Sequence, residues 1–382
     1  MSFQFSLKKL PDDMGEVKCV AQKDLLGVGY DIYDSMSENI RGYILRDKKL
    51  VVSNLPYCEE VVIKNRSSRS FLDVIENKND SVNDSVNDSV NDSEIDGIFL
   101  PSLEGTFLRV WWDTTWKVST NNKLDSYNSR WGSNLSFGEM FRTSVNNLYK
   151  KAPTESLEYF FETLDQKLVY CFLLKGKRVV CEQSKDKLYY IGFIDVTSSQ
   201  MSIIYDESPS LIPVLQSVSF LNWESVYNYV REKGYHSIQG LLYYKTDGTV
   251  YKLYNETYKK YLDMNQNDPN VLRNYLRLTD PVDINFFRQN YSEEESGMNL
   301  LDLNLHKFTC IIYNLYVERY IYKKFILVQG DLHFIISACH RYYINTRIRM
   351  NYDTIRNIIK SVVDVSRLFR LLKNVDNMNI YK

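Results

Sequence analysis

The sequence predicts an α+β protein in two parts: a domain on antiparallel strands over residues 1–255, then an all-α domain over 256–382. Two observations carry this. Up to Asn255 apolar residues recur with a period of two between short turn signals; beyond it they recur at helical spacing with almost no strand pattern. A chain of 382 residues is also long enough for two or three separate cores.

"RGYILRDKKLVVSN", Arg41 to Asn54, reads strand, turn, strand. Asn79 to Ser93 repeats a four-residue polar and acidic unit, "NDSV", which buries nothing and predicts a disordered acidic loop over 76–96. Repeat slippage into a tolerant loop explains it more simply than an acidic decoy or a phosphosite cluster. "GTFLRVWWDTTWKVST", Gly105 to Thr120, predicts a hairpin turning near Asp113 and Thr114. "LEYFFETLDQKLVYCF", "RVVCEQ", "KLYYIGFIDV" and "SIQGLLYYKTDGTVYKLYN" continue the strand pattern, the last with a Thr-Asp-Gly turn. "SFGEMFRTSVNNLYKKA" and "NWESVYNYVREKG" predict helices opened by a Ser or Asn cap. "ETYKKYLDMNQNDPNVLRNYLRL", "PVDINFFRQNYSEEE" and the run from Leu303 onward are helical throughout.

Hydrophobic residues at 44% and charged residues at 25% describe an ordinary soluble globular chain. The 30 tyrosines beside 15 glycines and 8 prolines, with many Asn, Lys and Ile, point to A+T-biased coding, so single Tyr, Asn or Lys positions carry little information. Cys19, Cys58, Cys171, Cys181, Cys310 and Cys339 lie too far apart for a zinc ribbon or a disulfide framework and read as reduced, mostly buried thiols. The first residues lack a cationic segment followed by an apolar run, so no signal peptide is expected. Glu318, Arg319, Lys323 and Lys324 break the most apolar C-terminal run, which excludes a membrane span there. The expectation is a soluble intracellular protein. From residue 301 onward 13 Lys and Arg stand against 6 Asp and Glu, either a solvated helical face or a phosphate-facing surface.

Short strand motifs at wide spacing carry the chemistry. They are "IRGYILRDKKLVV", "SLEGTFLRV", "STNNKLDSYNSRWGS", "YFFET", "SIQGLLYY" and "VYKLY", in that order. In order and spacing they resemble the motifs of adenylate-transferring RNA ligases of the bacteriophage T4 RNA ligase 1 type. They are more closely similar to ligase-related proteins of large DNA viruses. The resemblance spans roughly residues 38–280. It implies a nucleotidyltransferase (ATP-grasp-like) domain, ATP and Mg²⁺ as cofactors if the protein is active, and RNA or nucleotide as the partner. It further implies residence in the host cytoplasm or a viral factory.

The resemblance assigns roles residue by residue. Arg41 stands near the nucleotide phosphates, and Lys123 is a phosphate- or end-binding candidate. Ser102 occupies the position of the nucleophilic lysine, and Glu104 that of the aspartate two residues on. Glu162, sixty residues after Ser102, matches the carboxylate strand. Gln239 replaces a glutamate, Lys252 is kept, and Tyr254 stands for a second lysine.

Chemistry of this type needs a lysine amine to attack the α-phosphate, with cations and a divalent metal to balance the growing charge. Three of its charged groups are therefore replaced here, at Ser102, Gln239 and Tyr254. Loss of the nucleophile alone predicts a rate loss on the order of several powers of ten. Lys123, in "KLDS", is the candidate for a displaced nucleophile, but the glycine that lets backbone approach a phosphate is missing there. Lys117, on the opposite strand of its hairpin, reads as solvent-facing. Arg41, Glu162 and Lys252 also fit plain outward residues of alternating strands. His333 and His340, seven apart on one helical face, fit packing or capping better than a metal. Trp111, Trp112, Trp116 and Trp131 fit a packed core better than a base-stacking platform. Three functions stay open: a binding protein that has lost the ligase chemistry, an active ligase with a displaced lysine, and a viral structural protein.

Overall fold

The computed structural model describes residues 2–7, 17–36, 39–63, 95–149, 153–176, 187–204, 208, 210–266, 268–328 and 330–378. The chain divides into two compact units, Met1–Lys260 and Tyr261–Lys382.

In the first unit the described strands form three sheets. The largest has the order β1 (Ser2–Ser6), β12 (Gln200–Ile204), β11 (Lys187–Asp195), β10 (Leu168–Lys175), β8 (Thr106–Asp113), β9 (Thr115–Ser119), with antiparallel neighbours throughout. A second runs β2 (Lys18–Lys23), β3 (Gly29–Ser35), β4 (Ile40–Arg46), β5 (Lys49–Val52). The third runs β6 (Glu59–Ile63), β14 (Val250–Asn255), β13 (Gly240–Lys245), β7 (Gly97–Ser102), with β14 and β6 parallel and the other pairs antiparallel.

Period-two alternation gives the large sheet two buried faces. Leu108, Val110, Phe172 and Leu174 pack against helices α1 (Phe137–Tyr149) and α2 (Pro153–Glu162), through Phe141, Val145 and Phe160. The alternate residues Trp111, Val169 and Cys171 share a core with Tyr30, Ile32 and Ile44 of the second sheet and Leu100, Tyr244 and Val250 of the third. The third sheet's other face, with Phe99, Leu241, Tyr251 and Leu253, is covered by α3 (Trp223–Lys233) through Val226 and Val230. Layers in the order helix, sheet, paired sheets, helix thus bury both faces of the central strands β8 and β10, whereas β2 at a sheet edge is largely exposed.

The expected turns form. Asp47 and Lys48 take φ of 49° and 63° between β4 and β5, Thr114 takes 60° between β8 and β9, and Gly248 takes 87° after Thr246-Asp247. Ser136 and Glu139 make a reciprocal capping box at the start of α1, Ser136 N–H donating to Glu139 Oε2 at 2.7 Å and Glu139 N–H to Ser136 Oγ at 3.2 Å. Asn222 and Ser225 do the same for α3.

One segment departs from its expected form: "LEYFF" belongs to α2, and β10 begins only at Leu168. Phe160 and Leu164, four apart, are both buried, which is helical spacing that the adjacent aromatics disguise. Lys117 is a second correction. Its side chain is 9% exposed, and its ammonium pairs with Asp24 Oδ2 at 2.8 Å and lies over the rings of Tyr30 and Trp111. The strand "RVVCEQ", Cys181 and most of the 76–96 loop lie outside the described residues. Of the described cysteines Cys171 and Cys339 are buried, Cys58 and Cys310 half-buried and Cys19 exposed, all as free thiols.

The second unit is helical. Helix α4 (Glu256–Asn265) spans the point of division; α5 (Val271–Arg277), α6 (Pro281–Asn290), α7 (Glu295–Tyr316), α8 (Gly330–Thr346), α9 (Tyr352–Val362) and α10 (Val365–Lys373) follow. Met298, Leu301, Leu305, Phe308, Ile312 and Leu315 give α7 a buried stripe at spacings of three and four, packed on Ile335, Ile336, Ile355, Ile359, Leu368 and Leu372. In α8, His340 stacks on Tyr320 at 3.8 Å, a packing role, and the described residues hold no group of three or more His, Cys, Asp or Glu suited to a metal.

Candidate functional site

Three strands of the third sheet bring the central positions side by side. Ser102, the last residue of β7, pairs with Gly240 of β13, and Gly240 pairs with Tyr254 of β14. Gly240 takes φ of 152°, and a Cβ there would overlap the Leu253 carbonyl, so only glycine lets the strands approach this closely. Gln239 N–H donates to the Ser102 carbonyl at 2.8 Å, and Asn255 N–H to the Gln239 carbonyl at 2.9 Å. The Asn255 side chain then accepts from the Thr257 and Tyr258 N–H groups, starting α4 and fixing Tyr258 over the strand ends.

The side chains close a directional chain of hydrogen bonds. Ser102 Oγ donates to Gln239 Oε1 at 3.1 Å, Gln239 Nε2 to the Tyr258 hydroxyl at 2.9 Å, and that hydroxyl to Glu104 Oε1 at 2.5 Å. Ser102 is 2% exposed and Gln239 7%. The acceptor beside Ser102 is an amide oxygen, a very weak base, so nothing there activates the hydroxyl as a nucleophile.

Lys252 and Tyr254 point to the same face of β14 as each other. The Lys252 ammonium lies 4.7 Å from the centre of the Tyr254 ring, and the Tyr254 hydroxyl donates to Glu60 Oε1 at 3.0 Å. Lys259 reaches the same carboxylate at 3.6 Å. The Tyr258 ring lies parallel to that of Tyr254. Burial pulls the Lys252 ammonium below its ordinary pKa; Cys58, Glu60 and Glu104 act against this, and the charge of Arg41 adds to it.

Arg41 sits on β4 with its guanidinium over Tyr57 at 5.3 Å, and the Asn121 side-chain amide, its oxygen turned inward, lies 3.1 and 3.2 Å from Nε and Nη2. Below it is a group that sequence reasoning missed. Arg109 is fully buried and donates to the carbonyls of Gly42 at 2.5 Å and Thr120 at 2.6 Å, while its Nε is buried without a hydrogen-bond partner. Burial, reinforced by Arg41, pushes its pKa down to about 10. Arg109 ties together the two backbone segments that present Arg41 and Asn121. Gly42, with φ of 60°, lies against the Asn121 carbonyl where a Cβ would overlap it.

The candidate residues are thus divided. Ser102, Glu104 and Gln239 share one hydrogen-bond chain through Tyr258, and Lys252 and Tyr254 adjoin it on β14, within the field of Arg41. Lys123 lies in the turn after β9 with an exposed side chain; its backbone exchanges hydrogen bonds with Thr120. Glu162 ends α2, exposed, on the helix-covered face of the large sheet, whereas the cluster belongs to the third sheet across the other face. Tyr258 and Glu60 lie outside every motif, while Arg109 and Asn121 fall inside "SLEGTFLRV" and "STNNKLDSYNSRWGS" at positions that nothing in the pattern marks.

The cluster does not suit a divalent metal. Gln239 stands in place of one carboxylate with both ends of its amide engaged, Glu104 accepts from Tyr258, and Glu60 is held by Tyr254 and Lys259.

Comparison with known proteins matches no family model. The chain is 24% identical over 306 residues to the immediate-early protein ICP-46 homolog of Invertebrate iridescent virus 6, covering 75% of this chain and 64% of that protein. It is 26% identical over 278 residues to the homolog of Invertebrate iridescent virus 3, covering 71% and 58%. The chain therefore spans about three fifths of the length of these viral relatives. Structural neighbours are ATP-dependent nucleic-acid ligases; an archaeal ATP-dependent RNA ligase aligns with TM-score 0.44 and 10% identity over 95% of this chain and 93% of its own. No described helix is long and apolar enough to cross a membrane.

Proposed function

We propose that this chain is a ligase-related binding protein that holds a nucleotide or RNA phosphate and has lost adenylyl transfer. One observation carries the reading: the buried chain Ser102–Gln239–Tyr258–Glu104. Where the chemistry needs an amine facing an anion, a hydroxyl donates to an amide, and every group is satisfied by its neighbour. Among the described residues the acceptor of the Ser102 hydroxyl is the weakly basic Gln239 amide oxygen, and the oxygens of the chain are already engaged, which supports a site without bound Mg²⁺. Retained binding is supported by the cations Arg41 and Lys252, the second of which feels Glu60 and Glu104, carboxylates that already accept from tyrosines. The ligand would be met in the cytoplasm or viral factory of an infected cell.

The test is incubation of the purified protein with α-labelled ATP and Mg²⁺, followed by denaturing electrophoresis. The expected result is no labelled protein, together with binding of a 5′-phosphorylated single-stranded RNA that weakens about tenfold on Arg41→Ala. A labelled band that disappears on Lys123→Ala, or ATP-dependent joining of RNA ends, would overturn the proposal in favour of an active enzyme with a displaced lysine.

A further inference from the structure

The second unit carries a surface independent of the Ser102 cluster. Helix α7 runs into a π-helical turn, Val317–Ile321, and the chain then folds back on it. Tyr322 N–H donates to the Val317 carbonyl at 2.9 Å and Lys324 N–H to that of Glu318 at 2.9 Å. The Arg319 guanidinium donates to the Ile326 carbonyl at 3.3 Å. A segment pinned this firmly still leaves Ile321 60%, Tyr322 67%, Phe325 91% and Leu327 58% exposed. Lys323 is held at φ of 55°, a left-handed backbone that side chains other than glycine adopt at a cost.

The sequence around this segment is predominantly basic. Between residues 317 and 349 the basic side chains Arg319, Lys323, Lys324, Arg341, Arg347 and Arg349 stand against Glu318 and Asp331. Both acids are already engaged, Glu318 with Lys324 at 3.4 Å and Asp331 with Arg367. The Tyr320–His340 stack joins the turn to the second half of α8, which leads to Arg341, Arg347 and Arg349.

We propose that Tyr322–Leu327 is a docking site for single-stranded nucleic acid. Tyr322 and Phe325 offer two exposed aromatic rings with Lys323 and Lys324 between them in the sequence, the Lys324 ammonium lying 3.4 Å from Glu318 and 5.9 Å from the Tyr322 ring centre. A nucleotide repeat offers one flat ring and one phosphate charge, so two successive nucleotides match the segment, with bases on the rings and phosphates on Lys323 and Lys324. A duplex keeps its bases stacked internally and cannot use the rings. An acidic protein segment would match the ammonium groups but supplies no matching series of flat rings.

Fluorescence anisotropy of the full chain with a labelled 20-nucleotide oligouridylate tests this. Tyr322→Ala with Phe325→Ala should weaken binding about tenfold or more, with an unchanged melting temperature because both rings are exposed. Lys323→Ala with Lys324→Ala should lower the slope of log affinity against log salt by about one to two. Wild-type affinity in the aromatic double variant, or no binding by the wild type, overturns the proposal. So does a change in sedimentation confined to the variants, which would make the surface an interface between copies of the chain. Arg41→Ala, run alongside, reports on the Ser102 cluster alone, so either site can fail without the other.

Discussion

Two buried polar groups in the first unit solve the same problem in opposite ways. At Lys117 an ammonium is kept inside by a carboxylate, Asp24, at 2.8 Å, with side chains 9% and 8% exposed. At Ser102 a chain of neutral groups through Gln239 and Tyr258 runs to the Glu104 carboxylate. The difference shows what a buried lysine needs. An ion pair survives burial only with its partner in contact, whereas a fully satisfied neutral network avoids most of the desolvation penalty. Lys117 is the scaffold's structural lysine, and its position was misread because a lysine on an alternating strand ordinarily faces water.

The sharpest way to break this contrast is Lys117→Met. It strands the Asp24 carboxylate and should destabilise the protein by about 3 kcal/mol, read by urea unfolding. The pH dependence gives an independent reading. Burial pushes the Asp24 carboxyl up, but the Lys117 ammonium and the Val28 and Leu26 N–H groups outweigh it and hold the carboxyl below its ordinary value. A carboxylate depressed in the folded state contributes stability above its unfolded pKa and loses it as pH falls through the folded one. The wild type should therefore lose stability below about pH 4, and Lys117→Met should remove Asp24's share of that loss.

Gln239→Ala comes next. It removes both links at the centre of the neutral chain and leaves Ser102 and Tyr258 without those partners, for an expected loss of about 1–3 kcal/mol. No acid-limb change should accompany it, which separates a neutral network from an ion pair. A loss as large as that at Lys117 would mean that Gln239 matters as much to the fold as an ion-pair partner does. The smallest effect is expected at Ser102→Ala, under about 1 kcal/mol, with RNA binding unchanged. A Ser102→Ala protein that loses a covalent nucleotide label would instead make that hydroxyl a nucleophile.

Much of this architecture was legible in the sequence, for physical reasons that also mark where legibility ends. The β4–β5, β8–β9 and β13–β14 hairpins announce themselves through turn residues at Asp47, Thr114 and Gly248, and α1 and α3 through capping boxes. Those signals are local. The strand reading of "LEYFF" failed because Phe160 and Phe161 mimic alternation, while the burial of Phe160 with Leu164 depends on the sheet beneath. Arg109 was hidden for a related reason: both faces of β8 are buried, so a polar residue on it has no outward side. Within the cluster, the spacing of Ser102, Gln239 and Tyr254 reflects strand pairing and could be read in order. Tyr258 could not, being one tyrosine among 30 and joined to the others only by tertiary contact.

The one-way direction of the Ser102 chain also constrains which substitutions it accepts. A lysine introduced at position 102 would meet the Gln239 amide and stand one tyrosine away from the nearest bonded anion, Glu104. A glutamate introduced at 239 would place a second carboxylate beside that same tyrosine while 102 still held a serine. Each change is unfavourable without the other, so the two positions are coupled. Charge enters such a chain in pairs, and single mutations do not bring it in.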